Sequence, residues 1–124
     1  MKVIVAGSRE GVSYEMVEMC IKVAMEHGLV ISEVVSGTAP GADRHGETWA
    51  EKNGVRVLHF PAKWKRPDTG EFDRKAGYRR NAAMAEYADA LIAVWNGYSP
   101  GTRHMIQMAQ QRGIRVFVLN LLEM

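Results

Sequence analysis

Residues 34–43, VVSGTAPGAD, run from a short β-branched segment through two glycines into the start of an expected helix. Residues 90–102, ALIAVWNGYSPGT, repeat this order of strand, glycine loop and helix. Such junctions are typical of parallel sheets, in which each strand is followed by a helix that crosses back over the sheet. The two stretches therefore predict an α/β fold.

The rest of the chain shows the same alternation of strands and helices. Because crossovers between parallel strands are right-handed, we expect one Rossmann-like three-layer domain over residues 1–124, with a five-stranded parallel sheet in the order 3-2-1-4-5. The predicted strands are residues 3–6, 34–36, 55–60, 90–95 and 114–119. The predicted helices lie between Ser13 and Gly28 and at about 42–53, 78–87 and 102–112.

The first two helices each have an apolar face. On the first helix we expect Met16, Met19, Cys20 and Val23 to face the sheet, with Ser13 as the N-cap. Cys20 is the single cysteine of the chain, so we expect a small buried side chain without an internal disulfide. The inward face of the second helix is mostly small, which would let it approach the sheet closely; its members are Ala42, Gly46, Trp49 and Ala50.

The composition limits the classes of function. The chain has 124 residues, of which 47% are apolar and 24% charged, as expected for one globular domain. Sixteen Lys and Arg against fourteen Asp and Glu leave a net charge of +2, so any basic site must be local. The apolar runs are too short for a membrane span, and we expect no membrane partner.

Three glycine loops leave strand ends on one edge of the predicted sheet: residues 7–9, 37–43 and 96–102. Glycine permits close backbone approach, and the N–H groups at the start of a helix attract phosphate or carboxylate. Ser99 and Thr102 would add hydroxyl donors. A single loop of this kind is explained by a tight turn alone. Three loops that meet where the strand order reverses instead indicate a ligand site.

Two common nucleotide motifs are missing from these loops. None of these glycine loops matches the dinucleotide pattern G-x-G-x-x-G, and the chain has no G-K-S or G-K-T sequence. ATP hydrolysis by a phosphate loop and ordinary NAD-linked hydride transfer therefore lose support, and we expect no cofactor. The four histidines have no metal-binding spacing with cysteines or carboxylates, so we expect no metal site.

The long connection before the third helix, together with the start of that helix, holds a local excess of positive charge. A solvated charge run is one explanation, and a nucleotide site is the other, because cations would bind phosphate and rings would stack on a base. The cations are Lys63, Lys65, Arg66, Arg74, Lys75, Arg79 and Arg80, and the rings are Trp64, Phe72 and Tyr78.

Two carboxylates begin the second helix. Asp43 and Glu47 are one turn apart, so both could face the ligand edge. A carboxylate in a first turn is equally explained by its favourable interaction with the helix dipole. The sequence leaves both roles open.

The motifs in combination resemble the SLOG superfamily, named for Smf/DprA and the Lonely Guy enzymes, and most closely its YspA-like family of bacteria and phages. The resemblance spans nearly the whole chain and implies a Rossmann-like domain that binds a nucleotide or a nucleotide-derived ligand. The motifs are VAGSR at 5–9, SGxxxGAD at 36–43, FPAxW at 60–64, AGxxRNxxM at 76–84, ADALIA at 88–93 and SxGT at 99–102.

Lonely Guy enzymes hydrolyse the N-glycosidic bond of nucleoside monophosphates, and the resemblance to them is partial. Arg80 resembles their arginine, and residues 97–102 resemble their glycine loop. However, Arg103, His104 and Met105 stand where glutamates would be expected. Hydrolysis of an N-glycosidic bond usually needs a carboxylate, which stabilises the positive charge that develops on the ribose and activates water.

Three functions follow from the residues and the resemblance. The leading hypothesis is a nucleotide-binding domain that acts as a sensor, in which glycine loops hold phosphate, Arg9 and Arg80 add charge, Asp43 accepts ribose hydroxyls and Trp64 stacks on the base. The expected ligand-binding residues are Gly7, Ser8, Arg9, Gly37, Gly41, Ala42, Asp43, Pro61, Trp64, Gly77, Arg80, Asn81, Ser99, Gly101 and Thr102.

The first alternative is a nucleoside-monophosphate phosphoribohydrolase, with Arg80, Asp43 and Glu47 as catalytic residues. The second is single-stranded DNA binding, which the DprA branch of the superfamily performs. We also expect a homo-oligomer, because the tail at residues 119–124 is mostly apolar. The expected location is the cytoplasm of a bacterium, or of the host if the protein is phage-encoded.

Overall fold

The computed structural model describes residues 1–123 and contains one parallel sheet of five strands. The strand order is β3-β2-β1-β4-β5, which confirms the predicted order and fold class. The strands are β1 (Lys2–Gly7), β2 (Glu33–Ser36), β3 (Arg56–His59), β4 (Ala90–Trp95) and β5 (Arg115–Asn120). The helices are α1 (Tyr14–Glu26), α2 (Ala42–Lys52), α3 (Ala76–Tyr87) and α4 (Pro100–Gln111), followed by a 3₁₀ turn, Leu121–Glu123.

Alternate residues of the central strands bury into two separate layers. On β1, Val3 and Val5 belong to the core beneath α1 and α2, whereas Ile4 and Ala6 belong to the core beneath α3 and α4. Side chains of a strand point alternately to its two faces, so the sheet is covered on both sides. Gly46 shows how closely α2 approaches the sheet, because a Cβ there would lie 2.6 Å from Val5 Cγ1. The predicted small inward face of α2 is confirmed.

The predicted inward face of α1 is wrong in part. Cys20 is buried as expected, but Met19 and Val23 are 46% and 44% exposed. The buried residues beside Cys20 are Val17, Ile21 and Ala24. Apolar residues occupy most of the circumference of this helix, so periodicity alone does not select the face that meets the sheet. The predicted N-cap is confirmed, since the Ser13 hydroxyl accepts the Met16 N–H at 3.2 Å.

The boundaries of three other elements differ from the prediction. Helix α3 begins at Ala76 and α4 at Pro100, each earlier in the chain than expected. Proline is favoured in the first turn of a helix because its missing N–H would have no partner there. Strand β3 is shorter than predicted at both ends and forms one edge of the sheet.

The long connection before α3 forms a small hairpin of its own. We call residues 61–75 the strap. Lys65 and Phe72 form an isolated antiparallel bridge, and the Trp64 and Phe72 rings stack with centroids 5.7 Å apart. Asp73 fastens the strap to α3 through its hydrogen bond from Arg79. Across residues 1–123, no helix combines the length and apolar character needed to span a membrane.

Candidate functional site

The predicted ligand site lies at the edge of the sheet formed by the carboxyl ends of the strands, which we call the ligand edge. There β1 and β4 lie side by side, and the segments that follow them diverge. The Ser8 N–H donates to the Val94 carbonyl at 3.0 Å, and the Ser8 hydroxyl accepts the Asn96 N–H at 3.0 Å. Ser8 is fully buried, and its carbonyl accepts the Ala42 N–H at 3.2 Å. Both Ser8 and Ala42 therefore join the loops together, beneath the surface that a ligand would contact.

Two glycines allow these loops to touch. Gly41 has a φ of +84°, and a Cβ at this position would lie 2.6 Å from Arg9 Cα. Gly7 has a φ of +156°, and its Cβ would lie 2.8 Å from Ala42 Cβ. Only glycine fits such close backbone approach at positive φ without strain. The two glycines thus hold the loop after β1 (residues 7–9) against the loop after β2 (residues 37–43), which we call the β2 loop.

Two adjoining cavities open along this edge. The switch-point pocket, of about 80 Å³, lies between β1, α3 and α4. The outer cleft, of about 340 Å³, lies between the β2 loop and the strap. Residues that line the switch-point pocket include Gly7, Arg9, Asp43, Arg80, Asn81, Ser99, Gly101 and Thr102. Residues that line the outer cleft include Arg9, Gly37, Pro61, Trp64 and Arg80.

Arg80 stands at the boundary of the two cavities and contacts the β2 loop. Its Nη1 donates to the Gly37 carbonyl, and its Nε donates to Asn81 Oδ1 at 3.0 Å. Burial lowers the pKa of Arg80, and neighbouring Asp43 opposes this change. A Cβ on Gly37 would lie 2.7 Å from Arg80 Nη1 and 2.8 Å from Asp43 Oδ2. The absence of a side chain at Gly37 therefore lets the cation and the carboxylate approach the loop.

Asp43 is a buried carboxylate, 4% exposed, in the first turn of α2. Burial raises its pKa to about 6, while the Ala39 N–H, which donates to Oδ2 at 3.2 Å, and the charge of Arg80 oppose the increase. Desolvation disfavours the charged form of an acid, and here it outweighs the nearby cation. Asp43 can therefore accept or release a proton near neutral pH.

The start of α4 supplies unpaired backbone donors. The first N–H groups of a helix have no partner within the helix, and here they belong to Gly101 and Thr102. A Cβ on Gly101 would meet no atom within 4 Å, so its backbone faces open space. Asn81 Nδ2 donates to the Gly101 carbonyl at 3.2 Å and lies 3.2 Å from His104 Nδ1. These contacts fix the α4 terminus relative to α3.

Not every predicted site residue lies at the cavities. Glu47 lines neither of them; it accepts hydrogen bonds from Ser36 Oγ at 2.5 Å and Arg44 Nη1 at 3.1 Å. Gly77 packs beneath the Trp64 ring, since a Cβ there would lie 3.2 Å from Trp64 Cη2. Gly41 and Ala42 shape the loop that carries Asp43.

Sequence reasoning also missed residues that the structure brings to the site. Ala39 lines both cavities and donates its N–H to Asp43. Thr38, beside it in the outer cleft, has a φ of +63°, an uncommon conformation for a residue other than glycine. Met84 and Met105 form part of the pocket wall. The sequence signal for Ala39 and Thr38 was their position between Gly37 and Gly41.

The site contains little that would bind a metal. Within residues 1–123, no group of three or more His, Cys, Asp or Glu side chains is arranged to hold a metal ion. The charged groups at the two cavities are Arg9, Arg80 and Asp43. A cationic cleft of this kind suits an anionic organic ligand.

Comparison with known proteins shows what this chain is similar to in family, sequence and fold. The model of the YspA, cpYpsA-related SLOG family matches residues 1–66. The Gene 61 protein of Mycobacterium phage D29 is 37% identical over 91 residues, which cover 73% of this chain and 70% of the phage protein. The X-ray structure of DNA processing protein A (DprA) from Streptococcus pneumoniae has a TM-score of 0.72 at 23% identity. That alignment covers 94% of this chain but 49% of the DprA chain, so the present chain spans about half of that protein.

Proposed function

Because the chain belongs to the YspA, cpYpsA-related SLOG family, we propose that it binds a nucleotide or a nucleotide-derived ligand at the carboxyl edge of its sheet. The observation that carries the proposal is the position of Arg80. Arg80 lines both cavities, and Gly101 and Thr102 of the α4 N-terminus line the switch-point pocket together with it. A cation and a helix N-terminus in the lining of one pocket favour a bound phosphate.

The phosphate is proposed to lie in the switch-point pocket. The N–H groups of Gly101 and Thr102 would donate to its oxygens, as helix N-termini do at many phosphate sites. The Thr102 hydroxyl lies 3.3 Å from Ser99 Oγ, so both hydroxyls are near the same position. Arg80 uses Nε and Nη1 within the protein, and the guanidinium has further donors to offer.

The nucleoside is proposed to extend into the outer cleft. Asp43 would accept a hydrogen bond from a sugar hydroxyl at the junction of the two cavities. Trp64 lines the cleft and is 39% exposed, and its stacking on Phe72 fixes the ring as a wall for a base. Aromatic side chains bind bases through their faces, with little dependence on sequence.

Sensing without hydrolysis is the form of this function that the site favours. Asp43 is the single carboxylate among the described residues that line the two cavities. Arg103, His104 and Met105 follow Thr102, at the positions where glutamates would be expected in a Lonely Guy enzyme. A phosphoribohydrolase is the second candidate, favoured by the pKa of about 6 at Asp43, which suits proton transfer. In that case Arg80 and Asp43 would act on the substrate, and Glu47, outside the pocket, would have no direct part.

The first experiment identifies the ligand and its fate. Small molecules released from the purified protein are analysed by mass spectrometry, and any nucleotide found is incubated with fresh protein. An unaltered nucleotide supports the sensor, whereas free base and ribose phosphate establish a phosphoribohydrolase. In calorimetric titration, Arg80→Ala should weaken binding by about 1–3 kcal/mol, the range for a charge-assisted hydrogen bond. Unchanged affinity would remove Arg80 from the proposed site.

The homo-oligomer and the cytoplasmic location also remain proposals. Leu122, in the apolar tail, is 56% exposed, which leaves apolar surface for a second copy. Met124, the last tail residue, lies outside the described residues. The similarity to a phage protein is consistent with expression inside a bacterial host. Light scattering over a range of protein concentrations would test the oligomer.

A further inference from the structure

A third cavity lies beneath the strap. It has a volume of about 420 Å³, larger than either cavity described above. Its apolar lining includes Phe60, Pro61 and Ala83, and its cations include Lys63 and Lys65. We call it the strap cavity. Pockets for small ligands commonly combine an apolar lining with a few placed polar groups, in volumes above about 300 Å³.

The charges around the strap cavity are unbalanced. Five cationic side chains line it, against one carboxylate, Asp73. That carboxylate is already engaged by Arg79, whose hydrogen bond lowers the pKa of Asp73. Within residues 1–123, neither Lys63 nor Lys65 forms an ion pair with a carboxylate. The cavity is therefore suited to a ligand that brings its own negative charge.

The strap cavity is joined to the site already described. Arg80 lines all three cavities, and Pro61 lines both the strap cavity and the outer cleft. The three cavities are thus neighbours around Arg80, and a ligand that extends past this side chain would contact more than one of them. A single phosphate and nucleoside would occupy the switch-point pocket and the outer cleft, and would leave the strap cavity unfilled.

We propose that the strap cavity binds the second nucleotide unit of a dinucleotide, two nucleoside units joined through phosphate. The inference rests on the proposed function, which assigns the first unit to the switch-point pocket and the outer cleft. The second base lies against Phe60 and Pro61, and the second phosphate lies near Lys63 and Lys65. Arg80 lies beside the linkage between the two units. The linkage is a phosphodiester or a pyrophosphate, since both carry the charge that Arg80 would bind.

The test compares one-unit and two-unit ligands on the full chain. Calorimetric titrations use each common ribonucleoside 5′-monophosphate, the matching 5′-phosphorylated dinucleotide and the matching pyrophosphate-linked dinucleotide. The preferred dinucleotide should bind at least about ten-fold more tightly than its mononucleotide, as expected for added charge-assisted contacts. The tighter of the two dinucleotides identifies the linkage.

A pair of charge-matched variants locates the second unit. Lys63→Gln with Lys65→Gln should remove most of the dinucleotide advantage and leave mononucleotide affinity unchanged. The control, Lys22→Gln with Lys52→Gln, removes the same charge from α1 and α2, away from the strap, and should affect neither ligand. All four lysines are exposed, and the control loses one surface contact, that of Lys52 Nζ with the Tyr14 ring at 4.3 Å, so urea unfolding of both variants should show that they remain folded.

Four results would overturn the inference. Equal affinity for mononucleotides and dinucleotides, or equal losses for both ligands in the strap variant, would leave the proposed function standing and remove the second unit. A further gain of about a hundred-fold for a ten-nucleotide single strand, well above the roughly nine-fold gain that its overlapping two-unit registers give on statistical grounds, would show a continuous nucleic-acid track instead of a two-unit site. Failure of every nucleotide to bind would remove the proposed function together with the inference.

Discussion

Replacing the buried Asp43 by Asn should change how the stability of the protein depends on pH. The pKa of Asp43 is about 6 in the folded chain, against an ordinary value of 3.8. The folded state therefore holds this proton more tightly than the unfolded state does. Stability must then fall as pH rises from about 4 to about 6, where the unfolded carboxyl has lost its proton and the folded one still retains it.

The size of this effect follows from the two pKa values. Their separation corresponds to a total loss of about 3 kcal/mol in the free energy of unfolding, of which about 2 kcal/mol falls between pH 4 and pH 7. The side-chain amide of the Asp43→Asn variant stays neutral over this range, so the variant should lack that loss. Relative to wild type, its stability should rise by about 2 kcal/mol from pH 4 to pH 7.

Urea unfolding of both proteins at a series of pH values measures this difference, because the other titrating groups contribute equally and cancel. The reasoning fails if the difference is flat with pH. It also fails if the slope is reversed, since that would mean that Arg80 lowers the pKa of Asp43 by more than burial raises it. Arg80→Gln provides a control: removing the cation should raise the pKa of Asp43 further and extend the loss of stability to higher pH.

Three other predictions concern folding and reactivity. Ser13→Ala removes the N-cap of α1 and should destabilise the protein by about 1 kcal/mol in urea unfolding, whereas Ser13→Asp should restore most of the loss; an equal loss in both variants would contradict the capping role. Gly46→Ala places a methyl group 2.6 Å from Val5 Cγ1 and should cost about 1–3 kcal/mol, and an unchanged midpoint would show that α2 moves freely away from the sheet. Burial raises the pKa of the Cys20 thiol to about 11, so a thiol reagent should label the native protein far more slowly than the urea-unfolded protein; equal rates at neutral pH would show that Cys20 is accessible.

The sheet order was predictable because it depends on a pattern that is repeated along the whole chain. Each of the first four strands is followed by a glycine or proline turn and then a helix, and right-handed crossovers leave few arrangements of the five strands. The pairing of β1 with β4, which creates the ligand edge, follows from that topology. No single residue had to be placed correctly for this prediction to hold.

The rotation of α1 was not predictable from its sequence in the same way. Met16, Val17, Met19, Ile21 and Val23 are all apolar, so two overlapping stripes compete for the sheet. The structure buries the stripe that contains the β-branched Val17 and Ile21, and leaves Met19 exposed. The choice depends on the shape of the opposing sheet, which is a tertiary property.

Glu47 illustrates the same limit at the site. Glu47 follows Asp43 by four residues, which is slightly more than one helical turn of 3.6 residues. The two side chains therefore point in similar but not identical directions, separated by an angle around the helix axis. That angle directs Glu47 to Ser36 and His59, whose Nε2 lies 3.6 Å from Glu47 Oε1. Helical spacing therefore predicted that both acidic residues lie near the start of α2, but not which of them enters the pocket.

The β2 loop combines three features that are unfavourable in an ordinary turn. Thr38 has a positive φ, Asp43 is a buried acid whose charged form is disfavoured, and Gly37 leaves its backbone open to close contact from Arg80. Strain and buried charge persist where the surrounding structure enforces them, and they concentrate at functional sites. A ligand that donates a hydroxyl to Asp43 and accepts donors from Arg80 would stabilise the charged forms of both groups. Ligand binding should then offset part of the loss of stability that Asp43 causes at neutral pH. The gain in stability on binding should therefore be smaller in the Asp43→Asn variant.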